Sequence, residues 1–487
     1  MSTGAEQSDA VIRNEEEPGL AHSRRWLALA TVATVQLMIV LDLAVVFVAL
    51  PSIQNDLDIS TADRQWVVSA YAITFGGLLL LGGRLVDYVG RKRMFIGALA
   101  GFALVSALGG AASSGGMLFA ARAAQGVLAA VLAPAVLSLI SDTYTEKAER
   151  AKAFGIYGMV SGSGAAIGML LGGSLTLWSW RLVLLINVPI AIAVAVVAVF
   201  ALARDTTVTR SRYDIAGAIT ATAGMVCLAQ GFTSAGTNGW GSAVTQAFLV
   251  GGVLLLCAFV VIEARTRSPL LPLRIVTQFS RGMLYLAALL ANAAQLSMFL
   301  FLTYYYQETL HYNPIQTGLV FLPFALAVIS VGMSTASLVV RFGPLPVMVV
   351  GAALSVAALL LFTSLGADTG FGGVVAPEIM MGAGVALSLF PLNNVVLLGI
   401  DEADAGVAGA TVSTTQQMGG SMGTALLNTV FTGAVAGYVA ERHLAKPTTG
   451  ANLHGYHTVF VWEAAMYAAA LVLIALVWQR NRRTAAN

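Results

Sequence analysis

Charge is what this chain lacks most: 10% of its 487 residues are Asp, Glu, Lys or Arg, while 57% are apolar and the mean hydropathy is +0.81. That balance excludes a soluble globular protein of this length. No Lys follows a Gly anywhere, which excludes a phosphate-binding P-loop and an ATP site of that type. The five histidines (His22, His311, His443, His454 and His457) fall in the N-terminal segment or in expected outer loops. A catalytic metal cluster inside a membrane is therefore not expected, and His454 with His457 reads as a surface pair. The two cysteines, Cys227 and Cys257, sit in expected spans at different depths and read as small packing residues, not as a disulfide. The opening stretch is polar and acidic, unlike a cleavable signal, so residues 1–25 are expected to form a disordered cytoplasmic tail.

What the chain has in abundance is long apolar runs. They fall near 26–50, 66–82, 94–113, 117–141, 153–177, 182–203, 214–235, 244–263, 282–304, 316–340, 344–366, 373–400, 407–435 and 458–479. Each approaches or exceeds the ~20 residues a spanning helix needs and is too long for a barrel strand. An all-α integral membrane fold with fourteen spans follows. With the N-terminus placed inside, 21 Lys and Arg fall in inner loops and tails and four in outer loops (Arg64, Arg181, Arg442 and Lys446). This positive-inside bias puts both termini in the cytoplasm. A weak internal echo, RLVDYVGRKRM after the second span and LVVRFGPLPVM after the tenth, suggests two related halves around an inserted pair of spans.

Two charges lie inside expected spans. Asp42 in the first and Arg122 in the fourth differ in depth by only roughly 5 Å at a helical rise of 1.5 Å per residue, so they can meet. Burial favours the neutral acid and a nearby guanidinium favours the carboxylate, so the pair reads as a proton site, with a permanent structural ion pair as the alternative. The turn GGRLVDYVGRKR places Gly83, Asp87, Gly90 and Arg91 between two spans, where an anchored turn and a conformational latch are both open. Gly164, Gly168 and Gly172 repeat every fourth residue and make a flat helical face, either for ordinary packing or for sliding between halves. Polar and soft residues within spans are candidates to line a substrate cavity: Gln36, Tyr71, Gln125, Ser161, Asn292, Gln295, Met298, Glu378, Asn393, Asn394, Gln416 and Gln417. Glu378 is the second acid of interest, and Glu463 reads as structural or interfacial.

Together these segments resemble the fourteen-span drug:proton antiporters of the major facilitator superfamily, the EmrB/QacA type. LDLAVVFVALPSI is similar to that family's first-span motif with Asp42 as its membrane acid, and RAAQG to the fourth-span motif with Arg122 as the Arg associated with proton transfer. GRLVDYVGRKR resembles the superfamily's loop signature, which implies a latch role for Gly83, Asp87, Gly90 and Arg91. The fifth span resembles the antiporter signature at Gly155, Gly164, Gly168, Gly172 and Gly173, with Met169 where that signature has Pro.

The resemblance implies a disordered tail (1–25), a six-helix bundle (26–203), a two-helix linker (204–281), a second six-helix bundle (282–479) and a short tail (480–487). It further implies a monomeric, multi-pass protein of a bacterial cytoplasmic membrane that is no enzyme and uses no cofactor, metal or nucleic acid. Its partners would be protons, lipid and a small-molecule substrate, and its work the export of hydrophobic or cationic compounds. Rival readings are an exporter dedicated to one endogenous metabolite and a membrane sensor or assembly subunit that does not transport.

Overall fold

Among the described residues, each of the fourteen apolar runs contributes a helix. The computed structural model describes residues 18–144, 146–202, 214–266, 269–397, 400 and 402–486, with individual side chains inside some helices left out. The helices are α1 Pro18–Asp56, α2 Trp66–Val89, α3 Arg91–Gly110, α4 Gly115–Thr143, α5 Lys147–Thr176, α6 Arg181–Ala201, α7 Ile215–Asn238 and α8 Ala243–Arg265. They continue as α9 Phe279–Thr309, α10 Pro314–Phe342, α11 Pro344–Phe362, α12 Phe371–Leu397, α13 Glu402–Glu441 and α14 Thr449–Ala486. Among the described residues thirteen are long and apolar enough to cross a bilayer, and α5, 30 residues long, contributes the apolar stretch Ile167–Thr176. An even number of crossings puts both chain ends on one face, the termini face, and the loops α1–α2, α3–α4 and α13–α14 on the opposite, far face.

Local chemistry sets the helix ends. Ser114 caps α4 by accepting from Met117 N–H, and Asp214 caps α7 by accepting from Gly217 N–H. At α10, Asn313 and Gln316 form a reciprocal capping box with both bonds at 2.9 Å, followed by Pro314 where no N–H is needed. The α2–α3 and α10–α11 turns each pivot on one glycine with positive φ, Gly90 at 110° and Gly343 at 84°. These are the glycines of the internal echo, and at both a side chain would strain the backbone.

α14 begins nine residues earlier than the sequence suggests, and that corrects the reading of its histidines. Both lie on the helix: His457 Nε2 is half-buried 2.6 Å from the carbonyl oxygen of Leu365, and His454 rests against the Tyr438 ring. The Leu365 carbonyl, just past the end of α11, gives the His457 ring a partner inside the protein.

The packing has an internal repeat. In the first set α1 packs on α5 and α6, α2 on α4, and α3 on α4 and α6; in the second α9 packs on α13 and α14, α10 on α12, and α11 on α12 and α14. Every pairing recurs eight helices later. The two sets meet along α2 with α13 and α5 with α10. Helix α7 packs on α2 and α13 and so touches both sets, while α8 packs on α7 and presents Val250, Val253, Leu254, Val260 and Val261 outward. Such apolar exposure is what lipid requires.

Small residues permit the closest crossings. A Cβ on Gly82 would stand 2.0 Å from the carbonyl oxygen of Ala130, and one on Gly126 2.3 Å from that of Tyr71, so α2 and α4 touch backbone to backbone. Gly164, Gly168 and Gly172 face Val40, Ala44 and Val45 of α1. That contact lies within the first set, so the sliding-surface reading of these three is corrected: they pack α5 on α1. The crossing between sets belongs instead to Gly173, against Pro314 and Ile315, and to Gly318, against Met169. Despite its departure at Met169, α5 runs unbroken.

Candidate functional site

Asp42 and Arg122, both fully buried, touch each other, with Arg122 Nη1 donating to Asp42 Oδ2 at 2.5 Å. Five further helix-borne groups complete the site. Asn187 Nδ2 and Gln125 Nε2 donate to Asp42 Oδ1 at 2.6 and 3.3 Å. Arg122 donates from Nε to the Val67 carbonyl at 2.9 Å and from Nη1 to Gln125 Oε1 at 2.8 Å, and its guanidinium carbon lies 4.6 Å from the Tyr71 ring centroid. Gln125 is itself aimed by its Nε2 donating to Ser106 Oγ at 2.8 Å. Helices α1, α2, α3, α4 and α6 thus converge on one ion pair and its hydrogen-bond partners.

Each group is placed by its helix. Arg122 and Gln125 are three apart and share a face of α4. Asn187 opens the second segment of α6, which breaks at Ile186 between Arg181–Leu185 and Asn187–Ala201. Pro189 lacks an N–H to continue the ladder, and that break turns Asn187 toward Asp42. Asn187 and Ser106 were absent from the sequence-derived candidates; the Asn-x-Pro pattern in INVPI was the available signal. Two polar atoms remain without a described hydrogen bond, Arg122 Nη2 and Tyr71 Oη.

A second constellation closes the far face. Arg64, an outer-loop charge by sequence, is 2% exposed. Its guanidinium carbon sits 3.8 Å from the Tyr304 ring centroid, 5.3 Å from Phe431 and 5.9 Å from Phe301, and Nε donates to Asn428 Oδ1 at 3.2 Å. Asn428 Nδ2 donates back to the Thr61 carbonyl and Gln65 Oε1, and Gln65 Nε2 donates to Thr233 Oγ1 of α7. Tyr304 Oη donates to Gln54 Oε1 at 2.5 Å, and Gln307 Nε2 donates to the Val48 carbonyl at 2.8 Å. These bonds join the two helix sets at their far-face ends. The loop position of Arg64 hid this role, because burial there depends on partners some 240 and 364 residues away.

The remaining candidates divide. Gln417 stands at the α2–α13 crossing, its Cβ 2.8 Å from where a Gly76 Cβ would be, while Gln416, Asn292 and Gln295 are half-buried and Asn394 is exposed. Gln36 is buried on α1, one and a half turns toward the termini face from Asp42. Met298 is fully buried in an apolar cluster to which both sets contribute. The side chains of Asp87, Gly155, Ser161 and Asn393 lie outside the described residues. Arg91 forms an ion pair with Asp142, joining the start of α3 to the end of α4, and a Cβ on Gly83 would be 3.6 Å from Pro134. In the second set Glu378 is fully buried and accepts from Tyr306 Oη at 2.9 Å. Glu463 is fully buried with neither carboxylate oxygen hydrogen-bonded among the described residues, which corrects an interfacial placement.

Among the described residues, twelve helices in two repeated sets, joined by the pair α7 and α8 and with an acid–base pair buried inside the first set, define a polytopic membrane transporter. Residues 32–424 match the Major Facilitator Superfamily, and the chain belongs to that family. It is 43% identical to the puromycin resistance protein of Streptomyces alboniger, over 92% of this chain and 90% of that one. It is 41% identical to the cephamycin export protein of Amycolatopsis lactamdurans, over 85% of this chain and 86% of the relative. Among solved structures, a bacterial homolog of the human lysosomal transporter Spinster superposes with a TM-score of 0.67 at 14% identity, covering 95% of this chain and 97% of that one. That likeness concerns the fold.

Proposed function

We propose that the chain is a proton-coupled antiporter that exports hydrophobic or cationic small molecules, antibiotics among them, across a bacterial cytoplasmic membrane. The observation that carries the reading is the Asp42–Arg122 pair, buried, hydrogen-bonded and centred on five helices. Protonating Asp42 removes its charge and weakens its hold on Arg122 and Asn187, which loosens the junction of α1, α4 and α6. Releasing the proton restores it. A proton from outside thereby changes the packing of the first set, and substrate leaving the cell completes the exchange.

The bundles 26–203 and 282–479 act as the moving units with 204–281 as linker, and the turn of Gly83, Asp87, Gly90 and Arg91 as the cytoplasmic latch. The protein works as a monomer, needs no cofactor and keeps both termini in the cytoplasm. Proteoliposomes with an imposed pH gradient test this. Ethidium or puromycin should move against its gradient in the wild type and not in Asp42→Asn, and flux independent of the pH gradient would refute proton coupling. A second reading, export of one endogenous metabolite, draws on relatives each named for a single antibiotic. Competition by unrelated dyes separates the two, since a dedicated exporter would not be inhibited.

A further inference from the structure

Glu378 occupies in the second helix set the place Arg122 holds in the first. Each lies on the fourth helix of its set, seven residues past that helix's first residue, Gly115 or Phe371, and each is fully buried. Arg122 faces an acid, whereas Glu378 has no cation paired with it among the described residues. Helix α11 carries no ionisable residue, α10 carries only Arg341 at its termini-face end, and α13 carries Glu402, Asp404, Tyr438 and Glu441 near its ends. Helix α9 carries Arg281 and Tyr285 near its termini-face end and supplies Tyr306, with Tyr305 and the exposed Glu308 in the same turn. Oε1 accepts from Tyr306, and Oε2 has no hydrogen-bond partner among the described residues. A carboxylate in this dry, uncompensated position is costly, and binding a proton removes that cost.

Tyr306 belongs to the π turn Tyr305–Thr309 that ends α9, a departure from α-helix of a kind often found at functional positions. The residues on either side of it hold the far face shut: Tyr304 bonds Gln54 and stacks on Arg64, and Gln307 bonds the Val48 carbonyl. This turn and the residue before it therefore grip the first helix set through Gln307 and Tyr304 and Glu378 through Tyr306. Separation of the two sets on the far face must move this turn and bring water toward the carboxyl.

We propose that Glu378 is a proton-binding site whose occupancy is required for the far face to close, a proton-dependent step separate from that at Asp42. The inference goes beyond the antiport reading, and its test needs no transported substrate.

Spin labels at Ser113 and Lys446, exposed in far-face loops of the two sets, are introduced after Cys227 and Cys257 are replaced by Ser. Distances are measured in lipid nanodiscs from about pH 5 to about pH 9. In the wild type, Asp42→Asn and Glu463→Gln the closed distance should dominate at acidic pH and give way to a longer one as pH rises. Glu378→Gln keeps the hydrogen bond from Tyr306 but stays neutral, so it should remain closed throughout, and Glu378→Asp should regain the pH response. A Glu378→Gln protein that opens like the wild type, or a wild type whose far face ignores pH, overturns the proposal. Infrared spectra give a second readout: a protonated-carboxyl band that grows with the closed fraction should shift in Tyr306→Phe and vanish in Glu378→Gln, and a band unmoved by either change counts equally against it. Failure of pH-driven flux with this response intact would sink the antiport reading alone.

Discussion

Deleting Arg122 poses the sharpest question about the buried pair, because its cost should depend on pH in a calculable way. Arg122→Ala removes the guanidinium that bonds Asp42, Gln125 and Val67 and lies over Tyr71. Breaking one side of a buried pair costs roughly 3–5 kcal/mol. Asn187 and Gln125 still donate to Asp42, but without a cation the carboxyl is better served by a proton. Taking that proton from water at pH 7 onto a carboxyl of ordinary acidity costs about 4 kcal/mol, at about 1.4 kcal/mol per pH unit. The folded variant then binds one proton more than its unfolded chain above the ordinary carboxyl range, so its stability falls as pH rises. Relative to wild type, the deficit should be about 4 kcal/mol at pH 7 and shrink by about 1.4 kcal/mol per unit toward pH 4. The double variant Asp42→Asn/Arg122→Ala carries no charge to compensate and should recover most of the loss at pH 7. Unfolding of the purified protein in detergent, followed by intrinsic fluorescence at several pH values, gives the numbers. A deficit equal at pH 5 and pH 7.5, or a double variant as unstable as Arg122→Ala, would refute the reasoning.

Other positions give equally direct tests. Asn187→Ala removes the donor 2.6 Å from Asp42 Oδ1 and should cost about 1–3 kcal/mol in unfolding measurements while lowering pH-driven ethidium flux; unchanged flux would remove Asn187 from the site. Gly82→Ala must push α2 from α4, because its Cβ would meet Ala130 O at 2.0 Å, and should lose about 1–3 kcal/mol or fail to accumulate, whereas Gly97→Ala, with nothing within 4 Å, should be tolerated. Arg64→Ala removes a cation stacked on three rings, each such contact worth about 0.5–2 kcal/mol, and should raise labelling of a cysteine at Gln54 by an impermeant thiol reagent from the far face; labelling equal to that in the intact protein would show that the far face closes without it.

Helix number and the meeting of Asp42 with Arg122 were legible because both depend on quantities that run along the chain: apolar length, loop charge and helical rise. Arg64 was illegible for the opposite reason. Nothing near it in sequence distinguishes a loop cation facing water from one inserted among Tyr304, Phe301 and Phe431, since those rings arrive from α9 and α13. The glycines of α5 show an intermediate case. Their spacing implies a close contact but not its partner, and it is the carbonyl and side chains of α1, not the second helix set, that fill the groove. His454 and His457 were misread because the polar segment before the last apolar run is helical from Thr449, and hydropathy marks where a helix enters lipid, not where it begins.

The repeat in the fold places a constraint on how the two halves can use charge. In the first, the acid on α1 and the base on α4 neutralise one another inside the protein. In the second, α9 has no acid between Phe279 and Tyr304, and the acid on α12 stands at the depth where the first half keeps its base. Internal compensation is thus available to Asp42 and withheld from Glu378. Whatever unpairs Asp42 must act through the helices that hold Arg122 and Asn187, so its state can follow the rearrangement of the first set. Compensation for Glu378 has to come from solvent, and the turn controlling that access is the one that grips α1 across the far face. Equivalent positions in one repeated architecture are therefore answerable to different events, packing within a half in one case and separation between halves in the other.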